Sequence, residues 1–352
     1  MYKANDSHPK TFLFDTTFEG LAGQSYTYFN NDHCTALSEE TLHKAALQGD
    51  AELIKRALNA GIHVDAIDDE GTTALILACR YNHYDCVKVL LEKGANASAQ
   101  RKTSSNALCY AAQGGYLPIV KLLLQYGADV AQTGLDNASP FHLAVQCNHP
   151  DVCEAILAVN DEYKKVLLDS SLPMYLAAQH GHTAIIRMLI SHGSDVNLQR
   201  RVITRRKDNK PSTTNGSTAL FIASQSGHTY LVKKLVEWGA DVNIPRDDGC
   251  TPLVKASHKG YTDIVKYLLS KGAHFGLTEY GESAIHVAAY YGHIKVVKAL
   301  VEAGADVSLK DVKGLMPVAR AEMGRHPIVI SYLRKLKNER DSPVKSSFQK
   351  SS

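Results

Sequence analysis

The stretch GTTALILACRYNHYDCVKVLLEKGANA, Gly71 to Ala97, contains two short apolar helical patterns, a polar turn between them and a closing glycine. Apolar residues recur at helical spacing in both patterns, which predicts a helix–turn–helix unit with one buried side. The closing glycine recurs at Gly61, Gly94, Gly127, Gly193, Gly239, Gly272 and Gly304, with Asn160 in the remaining slot. The interval is 33 residues, apart from one step of 46 and a last step of 32. A fixed period of this length predicts repeated units that stack, because no single unit buries a core.

Three further stretches keep the same register: ASPFHLAVQCNHPDVCEAIL from Ala138, GCTPLVKASHKGYTDIVKYLLSKGAH from Gly249 and GESAIHVAAYYGHIKVVKALVEAGADV from Gly281. Together with the first they resemble ankyrin repeats, and the glutamine-bearing units resemble the short animal proteins built almost wholly of such repeats. The resemblance implies an all-α solenoid, in which helix–turn–helix units stack and β-hairpin fingers join them. We expect about nine units over residues 39–336, with the fingers and the exposed side of the first helices facing a partner.

Local signals predict where the helices begin and end. Thr251 is expected to cap a first helix, with Pro252 at its first position. The turn glycines are expected to adopt a left-handed conformation, at Gly181, Gly227, Gly260 and Gly292. The fourth unit departs from the pattern, so we expect an irregular finger there, with Asn160 as a left-handed cap. Glu322 and Arg325 occupy slots of a small buried residue and of the turn glycine, which predicts a polar terminal unit.

The sixteen histidines do not follow a metal-binding pattern. His83, His149, His182, His228 and His293 recur at one repeat position, where we expect the imidazole to bond the backbone of the next turn. His142 and His286 are expected to tie the start of a first helix to the adjoining loop. We therefore expect no bound metal.

Composition and motifs favour a reduced, non-enzymatic intracellular protein. The chain has only 7% aromatic residues, which permits an elongated architecture, and it has no apolar run long enough to span a membrane. Phosphate-binding, nucleophile-elbow and zinc-protease motifs are missing, so we expect no catalysis and no cofactor. The seven cysteines show no CxxC pair and are interpreted as reduced thiols, at Cys34, Cys79, Cys86, Cys109, Cys147, Cys153 and Cys250.

One position near the end of each first helix is the candidate binding surface. Four consecutive units carry glutamine there, and amides both donate and accept hydrogen bonds along an extended peptide. Aromatic and basic residues flank this row at both ends. The candidate residues are Arg80, Tyr81, Gln113, Gln146, Gln179, Gln225, His258, Lys259, Tyr290 and Tyr291. The alternative, that glutamine serves only as a soluble helix former, stays open.

The long step of the repeat contains QRRVITRRKDNKPSTTNG, Gln199 to Gly216. This stretch forms a basic finger between the fifth and sixth units, with Arg200, Arg201, Arg205, Arg206, Lys207 and Lys210 against Asp208 alone. We expect it to attract an acidic segment of a protein partner, and no nucleic acid, because no aromatic residue separates the charges. A longer hairpin, a mobile loop and an insertion without a role all fit the sequence.

Four residues match modification patterns. Asn197 and Asn243 resemble the asparagine that the oxygen-sensing hydroxylase modifies in many ankyrin proteins, although asparagine here also satisfies hairpin backbone groups. Thr204 follows Arg201 by three residues, which resembles a basophilic kinase site. Ser342 precedes Pro343 and resembles a proline-directed site.

The ends of the chain are accessory segments in this interpretation. Residues 1–38 are rich in aromatic residues and are expected to cap the first unit, and residues 337–352 form a disordered basic tail. We expect a monomeric scaffold or adaptor in the cytoplasm, with the nucleus left open. A regulatory subunit that occludes a partner enzyme and a pathogen-type effector remain alternatives.

Overall fold

The computed structural model describes residues 37–134, 138–205 and 211–341. Of these, residues 201–205, 211–215 and 340–341 are described by their backbone alone. The aromatic N-terminal extension up to residue 36 and the tail from residue 342 therefore lie outside the described residues. The chain divides into two compact units, Met1–Lys165 and Val166–Ser352.

The first unit is built from paired helices in two layers. Its first helices contact one another in series, α1 with α3, α3 with α5 and α5 with α7, and its second helices do the same from α2 to α8. This confirms the predicted stacking of helix–turn–helix repeats. The helices are α1 Glu39–Gln48, α2 Ala51–Asn59, α3 Ala74–Arg80, α4 Tyr84–Glu92, α5 Ala107–Gly114, α6 Leu117–Gln125, α7 Pro140–Gln146, α8 Pro150–Leu157 and α9 Asp161–Asp169, the last ending beyond the division.

The second unit repeats this arrangement and adds one hairpin. Its first helices contact in the series α10, α12, α14, α16 and α18, and its second helices in the series α13, α15, α17 and α19. The helices are α10 Ser171–His180, α11 Thr183–Ser191, α12 Ala219–Ser226, α13 Thr229–Glu237, α14 Pro252–Lys259, α15 Thr262–Ser270, α16 Ala284–Tyr290, α17 Ile294–Glu302, α18 Pro317–Met323 and α19 Pro327–Asp341. The strands are β1 Arg200–Arg205 and β2 Pro211–Ser217.

The predicted start and stop signals are confirmed. Thr251 Oγ1 accepts the backbone N–H of Val254 at 3.3 Å, and Pro252 is the first residue of α14. The four turn glycines named from the sequence have φ angles between 77° and 80°. The paired small residues of the first helices are fully buried, as at Ala111 and Ala112 or Ala288 and Ala289. Because these side chains are small, neighbouring first helices can approach each other closely.

Four of the five repeated histidines correct one expectation, because they bond the preceding repeat and not the next turn. The Nε2 of His83 donates to the carbonyl oxygen of Leu47 at 3.0 Å, and the Nε2 of His149 donates to that of Gln113 at 3.0 Å. The same bond joins His228 to Gln179 at 2.9 Å and His293 to His258 at 3.0 Å. The acceptors lie in the last turn of a first helix, where carbonyls lack an intrahelical donor. These bonds therefore tie consecutive repeats together.

The two histidines at the helix starts behave as predicted. The Nδ1 of His142 lies 2.8 Å from Ser139 Oγ, at the N-cap of α7. The Nδ1 of His286 lies 3.0 Å from Ser283 Oγ, and its Nε2 donates to the carbonyl oxygen of Leu309 at 3.0 Å. Each imidazole thus supports the start of a first helix, and His286 also holds the following finger.

The fourth unit contains an additional helix in place of an irregular finger. Asn160 does not adopt the expected left-handed conformation, in contrast to Asn82 and Asn148, whose φ angles are 61° and 63°. Instead, Asn160 Oδ1 accepts the backbone N–H groups of Glu162 at 2.8 Å and Tyr163 at 3.1 Å. Asparagine is a preferred N-cap because its side chain satisfies the free amides of the first turn. The expectation for Asn160 was wrong for this reason, and the residue starts α9.

The terminal unit carries the predicted polar substitutions. Arg325 adopts a φ angle of 60° in the slot of the turn glycine, and Glu322 is exposed and pairs with Arg334 at 2.6 Å. Beneath this surface, Arg320 is buried between two carboxylates. Its guanidinium donates from Nε to Asp311 at 2.8 Å and from an Nη to Glu282 at 2.7 Å. The last finger and the last first helix are joined through this cluster.

Candidate protein-binding surface

In the first unit, three candidate residues occupy the same position on successive first helices. Arg80 ends α3, Gln113 lies one residue before the end of α5, and Gln146 ends α7. Arg80 is exposed, and the two glutamines are partly exposed. Because α3, α5 and α7 contact one another in series, these side chains form one row.

In the second unit, four candidate residues occupy the same position on successive first helices. Gln179, Gln225, His258 and Tyr290 lie at or next to the last residue of α10, α12, α14 and α16, and all are partly exposed. We call the residues of these two rows the ladder positions. The structure thus brings the sequence-predicted residues together within each unit.

The histidine bonds hold the backbone at three of the ladder positions. The carbonyls that accept from His149, His228 and His293 belong to Gln113, Gln179 and His258. A side chain on a fixed backbone loses less entropy when a partner binds. This contact was not predicted from the sequence. The available signal was the spacing, because His149 follows Gln113 by 36 residues, which is close to the length of one repeat.

An aromatic cluster lies at the ladder end in the second unit. The ring of Tyr291 meets that of His258 edge to face at 4.3 Å and that of Tyr290 at 5.0 Å between centroids. Tyr291 remains 41% exposed, and Lys259 beside it is exposed. Exposed tyrosines on rigid supports are typical anchors of protein interfaces.

A second aromatic cluster lies in the first unit. The Arg80 guanidinium carbon lies 5.8 Å from the ring centroid of Tyr81 and 5.5 Å from that of Tyr110. Arg101 donates to the Tyr110 hydroxyl at 3.0 Å and pairs with Glu70. Tyr110 and Arg101 were not among the predicted site residues, since neither occupies a ladder position or the position after one.

A ring side chain precedes three of the five repeated histidines by two residues. Tyr81 stacks on His83 and Tyr291 on His293, each at 6.4 Å, and His180 stacks on His182 at 5.5 Å. Burial lowers the pKa of His180, and the nearby His182 and His228 lower it further. His180 was missed because only the glutamine of its repeat was considered, although the equivalent Tyr81 and Tyr291 pointed to it.

The basic finger forms the longer hairpin that the sequence allowed. β1 and β2 pair antiparallel from Arg200 opposite Ser217 to Arg205 opposite Pro211, with an irregularity between Arg200 and Arg201. Arg201, Thr204 and Arg205 lie in β1, whereas Arg206, Lys207 and Lys210 fall outside the described residues.

The base of this hairpin is attached to the helical stack. The guanidinium carbon of Arg200 lies 4.2 Å from the ring centroid of Tyr175 on α10, and burial lowers the pKa of Arg200. Gln199 donates from Nε2 to the carbonyl oxygen of Pro245 at 3.0 Å. A Cβ atom on Gly216 would stand 2.7 Å from Asp247 Oδ1, so the following finger packs closely there. Arg200 therefore anchors the finger in addition to carrying charge.

Asn197 and Asn243 connect neighbouring fingers. Asn197 Oδ1 accepts the N–H of Asp241 at 2.9 Å, and its Nδ2 donates to Gly239 at 3.3 Å. Asn243 makes the same pair of bonds to His274 at 2.8 Å and Gly272 at 3.3 Å. The predicted role in satisfying finger backbone groups is confirmed. Ser342, the remaining candidate for modification besides Thr204, lies outside the described residues.

The cysteines of the described ranges are free thiols. Burial raises the pKa of Cys86 and Cys109 to about 11 and that of Cys250 to about 12. Such thiols stay protonated and are poor nucleophiles. Within residues 37–134, 138–205 and 211–341, no cluster of three or more His, Cys, Asp or Glu is arranged to hold a metal ion. No helix in these ranges combines the length and apolarity needed to cross a bilayer.

A family model described as ankyrin repeats (3 copies) matches residues 19–101, 42–134, 93–169, 141–246, 200–278 and 239–311. The matches run without a gap from residue 19 to residue 311, which is well over half of the chain. They cover all ladder positions and the whole basic finger. The resemblance seen in the repeat pattern is thereby confirmed.

Proposed function

We propose, because this chain belongs to the ankyrin repeat family and such repeats are protein–protein interaction modules, that it acts as an intracellular scaffold or adaptor. Its partner is a protein that lies along the ladder positions, and the basic finger contributes attraction and selectivity. The proposed active form is a monomer in the cytoplasm, with entry into the nucleus compatible with the same role.

The observation that carries this proposal is that each unit has a row of polar side chains, some of them on a backbone held by the next repeat. Gln113 and Gln179 each present an amide from a residue whose carbonyl is held by the next repeat. Amides donate and accept, so they suit the backbone of an extended partner segment. In the second unit, the tyrosine cluster at Tyr290 and Tyr291 supplies apolar anchoring area.

The basic finger supports a partner with an acidic segment. The stretch contains six lysines and arginines and a single acidic residue, Asp208. Exposed charges act over about 8–10 Å at cellular salt, so the finger favours encounter with an acidic surface. Its attached base gives this attraction a defined place on the second unit.

We also propose modification at four residues, with different expected effects. Hydroxylation at Asn197 and Asn243 would act on amides that already connect fingers. Phosphate at Thr204 would offset part of the positive charge of the finger, and phosphate at Ser342 would act on the basic tail. Mass spectrometry of peptides from the protein purified out of its own cells tests all four, and unmodified peptides throughout would contradict this part of the proposal.

The test of function compares partner capture by matched variants of the full chain after cross-linking in cell lysate. One variant changes Gln113, Gln146, Gln179 and Gln225 to glutamate. Another lacks residues 200–212, a deletion that restores the 33-residue interval. The control is Gln125→Glu, which makes the same change at an exposed position of a second helix, α6.

We expect the four-site variant to lose the main partner and the Gln125→Glu control to retain it. Loss after removal of residues 200–212 would assign recognition to the finger. Retention by both variants would overturn the proposed binding surface. Inhibition of a purified partner enzyme by the intact chain would instead indicate the regulatory alternative.

A further inference from the structure

The hairpin of β1 and β2 is a sheet of two strands within the described part of the chain. Each strand pairs on one side with the other and has a second, outer edge. Both ends of the hairpin continue into fixed structure, with Arg200 packed on Tyr175 and Ser217 next to Thr218, the N-cap of α12. The hairpin is therefore a preformed pair of edges on a rigid base.

The two edges differ because of Pro211. Proline has no N–H and is accepted in a strand where its nitrogen faces away from the ladder. The pair Arg205 and Pro211 is therefore one that exchanges no hydrogen bonds, and such pairs alternate along an antiparallel ladder. It follows that the backbone N–H and C=O groups of Arg201, Ile203 and Arg205 point to the outer edge of β1. On β2 the equivalent positions are Thr213 and Asn215, with the donor lacking at Pro211.

The surroundings of the two strands differ as well. β2 ends beside the following finger, where Gly216 lies against the carboxylate of Asp247. β1 begins at Arg200 and contacts α10. The following finger thus limits access at the end of β2, and β1 contains Arg201 and Arg205.

We propose that the outer edge of β1 receives an extended acidic segment of a partner protein as an added strand. This inference rests on the proposed function and specifies how the finger holds its partner. Strand addition supplies main-chain hydrogen bonds, and side chains supply selectivity. The six basic residues of the stretch select an acidic occupant, and they disfavour a second copy of the same hairpin through like charge.

A peptide assay with the full chain tests this directly. The probe is a fluorescein-labelled peptide of about ten residues that alternates Glu and Thr, the length of a long strand. A peptide that alternates Glu and Pro carries the same charge but lacks half of the backbone donors. The variants are Ile203→Pro and Thr213→Pro, which lie opposite each other in the register and alter opposite edges.

Fluorescence anisotropy measures peptide binding. We expect the Glu–Thr peptide to bind and the Glu–Pro peptide to bind at least tenfold more weakly. Ile203→Pro weakens binding by about tenfold, because it removes an outward donor and obstructs the edge. Thr213→Pro keeps the affinity of the unchanged protein. On binding, the amides of Arg201, Ile203 and Arg205 gain protection from hydrogen exchange, while those of Val202 and Thr204 are protected throughout and report an intact hairpin.

Three outcomes overturn the inference: no binding of the Glu–Thr peptide at low salt, equal binding of both peptides, or equal affinity of both proline variants. Loss with Thr213→Pro alone would place the partner on β2 and also overturn the assignment. If the peptides fail while removal of residues 200–212 still abolishes partner capture, the finger binds through side chains and the proposed function stands.

Discussion

Glycine is required at position 260 for two separate reasons. Its φ angle of 78° is left-handed, and a Cβ atom there would stand 2.7 Å from Nδ1 of His293 in the next repeat. Gly272 shares the left-handed φ, at 82°, but has open space where a Cβ would be. Substitution at Gly272 therefore tests backbone strain alone, whereas substitution at Gly260 tests backbone strain together with the contact between repeats.

We predict that Gly260→Ala destabilises the protein more than Gly272→Ala. Both changes cost about 1–2 kcal/mol for the left-handed backbone. Gly260→Ala costs roughly 1–3 kcal/mol more, because the imidazole that bonds His258 must move. Urea denaturation of both variants measures the difference, and equal losses would show that the histidine ring yields without cost.

The arginine pairs of the terminal region give a second matched comparison. Arg320 is 3% exposed and pairs with Asp311, whose side chain is fully buried, whereas Arg334 is 64% exposed and pairs with Glu322. Burial raises the pKa of Asp311, but the hydrogen bonds from Leu315, Arg320 and Lys313 outweigh it and hold the pKa below its usual value. Asp311 is therefore ionised beside its partner.

We predict a large loss for Arg320→Ala and a small one for Arg334→Ala. Removing Arg320 leaves buried Asp311 without its counter-ion, which costs about 3–5 kcal/mol. Removing Arg334 disrupts an exposed pair worth about 1 kcal/mol or less. Thermal and urea unfolding at pH 7 measure both, and a loss below about 1 kcal/mol for Arg320→Ala would contradict the assigned role of the cluster.

Among the elements, α9 departs from the repeat pattern. The pattern led to the expectation of a finger at this place, and the local residues specified a helix. Asp161 and Glu162 stand in the first turn, where acidic residues favour the helix N-terminus, and Leu167 and Leu168 are buried. The local helix signals therefore determine the structure here, although the repeat pattern predicts a finger.

We predict that Asn160→Ala costs about 0.5–2 kcal/mol and that Asn160→Asp is tolerated. Alanine removes the oxygen that accepts from Glu162 and Tyr163, whereas aspartate retains an acceptor. The free energy of unfolding from urea titration provides the measurement. A gain in stability for Asn160→Gly would instead indicate the left-handed conformation first expected.

The remaining elements show what a sequence can specify. Thr251, Pro252 and the turn glycines act through neighbours within a few residues, so their roles followed from local pattern. β1 was foreseeable from the β-branched run of Val202, Ile203 and Thr204. The partner of His149 lies 36 residues earlier, at Gln113, and only the stacking of repeats brings the two together.

At the scale of the whole molecule, the sequence predicted which residues form the candidate site, but it did not predict the contacts that those residues make. Two adjacent repeat positions predicted Gln179, which is partly exposed, and Tyr291, which is exposed, near the ends of first helices. Arg200 appeared from the sequence as one of six finger charges, yet it lies on Tyr175, because the ring of α10 faces the base of the hairpin. Contacts between repeats thus decide which charges remain available to a partner.

Cooperativity in the second unit follows from the same contacts. α15 contacts α13, α14 and α17, and α19 contacts α17 and α18. In stacked repeats, stability is close to a sum over units and neighbouring interfaces. A defect in one repeat should therefore weaken its neighbours most.

We predict that Ile264→Ala, at a fully buried position of α15, lowers hydrogen-exchange protection most in α15 and in its neighbours α13, α14 and α17. The cavity costs about 2–5 kcal/mol, and its effect decreases toward α11 and α19 because more interfaces intervene. The control is Lys266→Ala, an exposed change in the same helix, which should leave the protection of all these helices unchanged. Hydrogen exchange with mass spectrometry resolves the helices individually. A uniform loss from α10 to α19 would mean that the second unit opens as one cooperative block, and that the ladder positions it carries cannot adjust to a partner one repeat at a time.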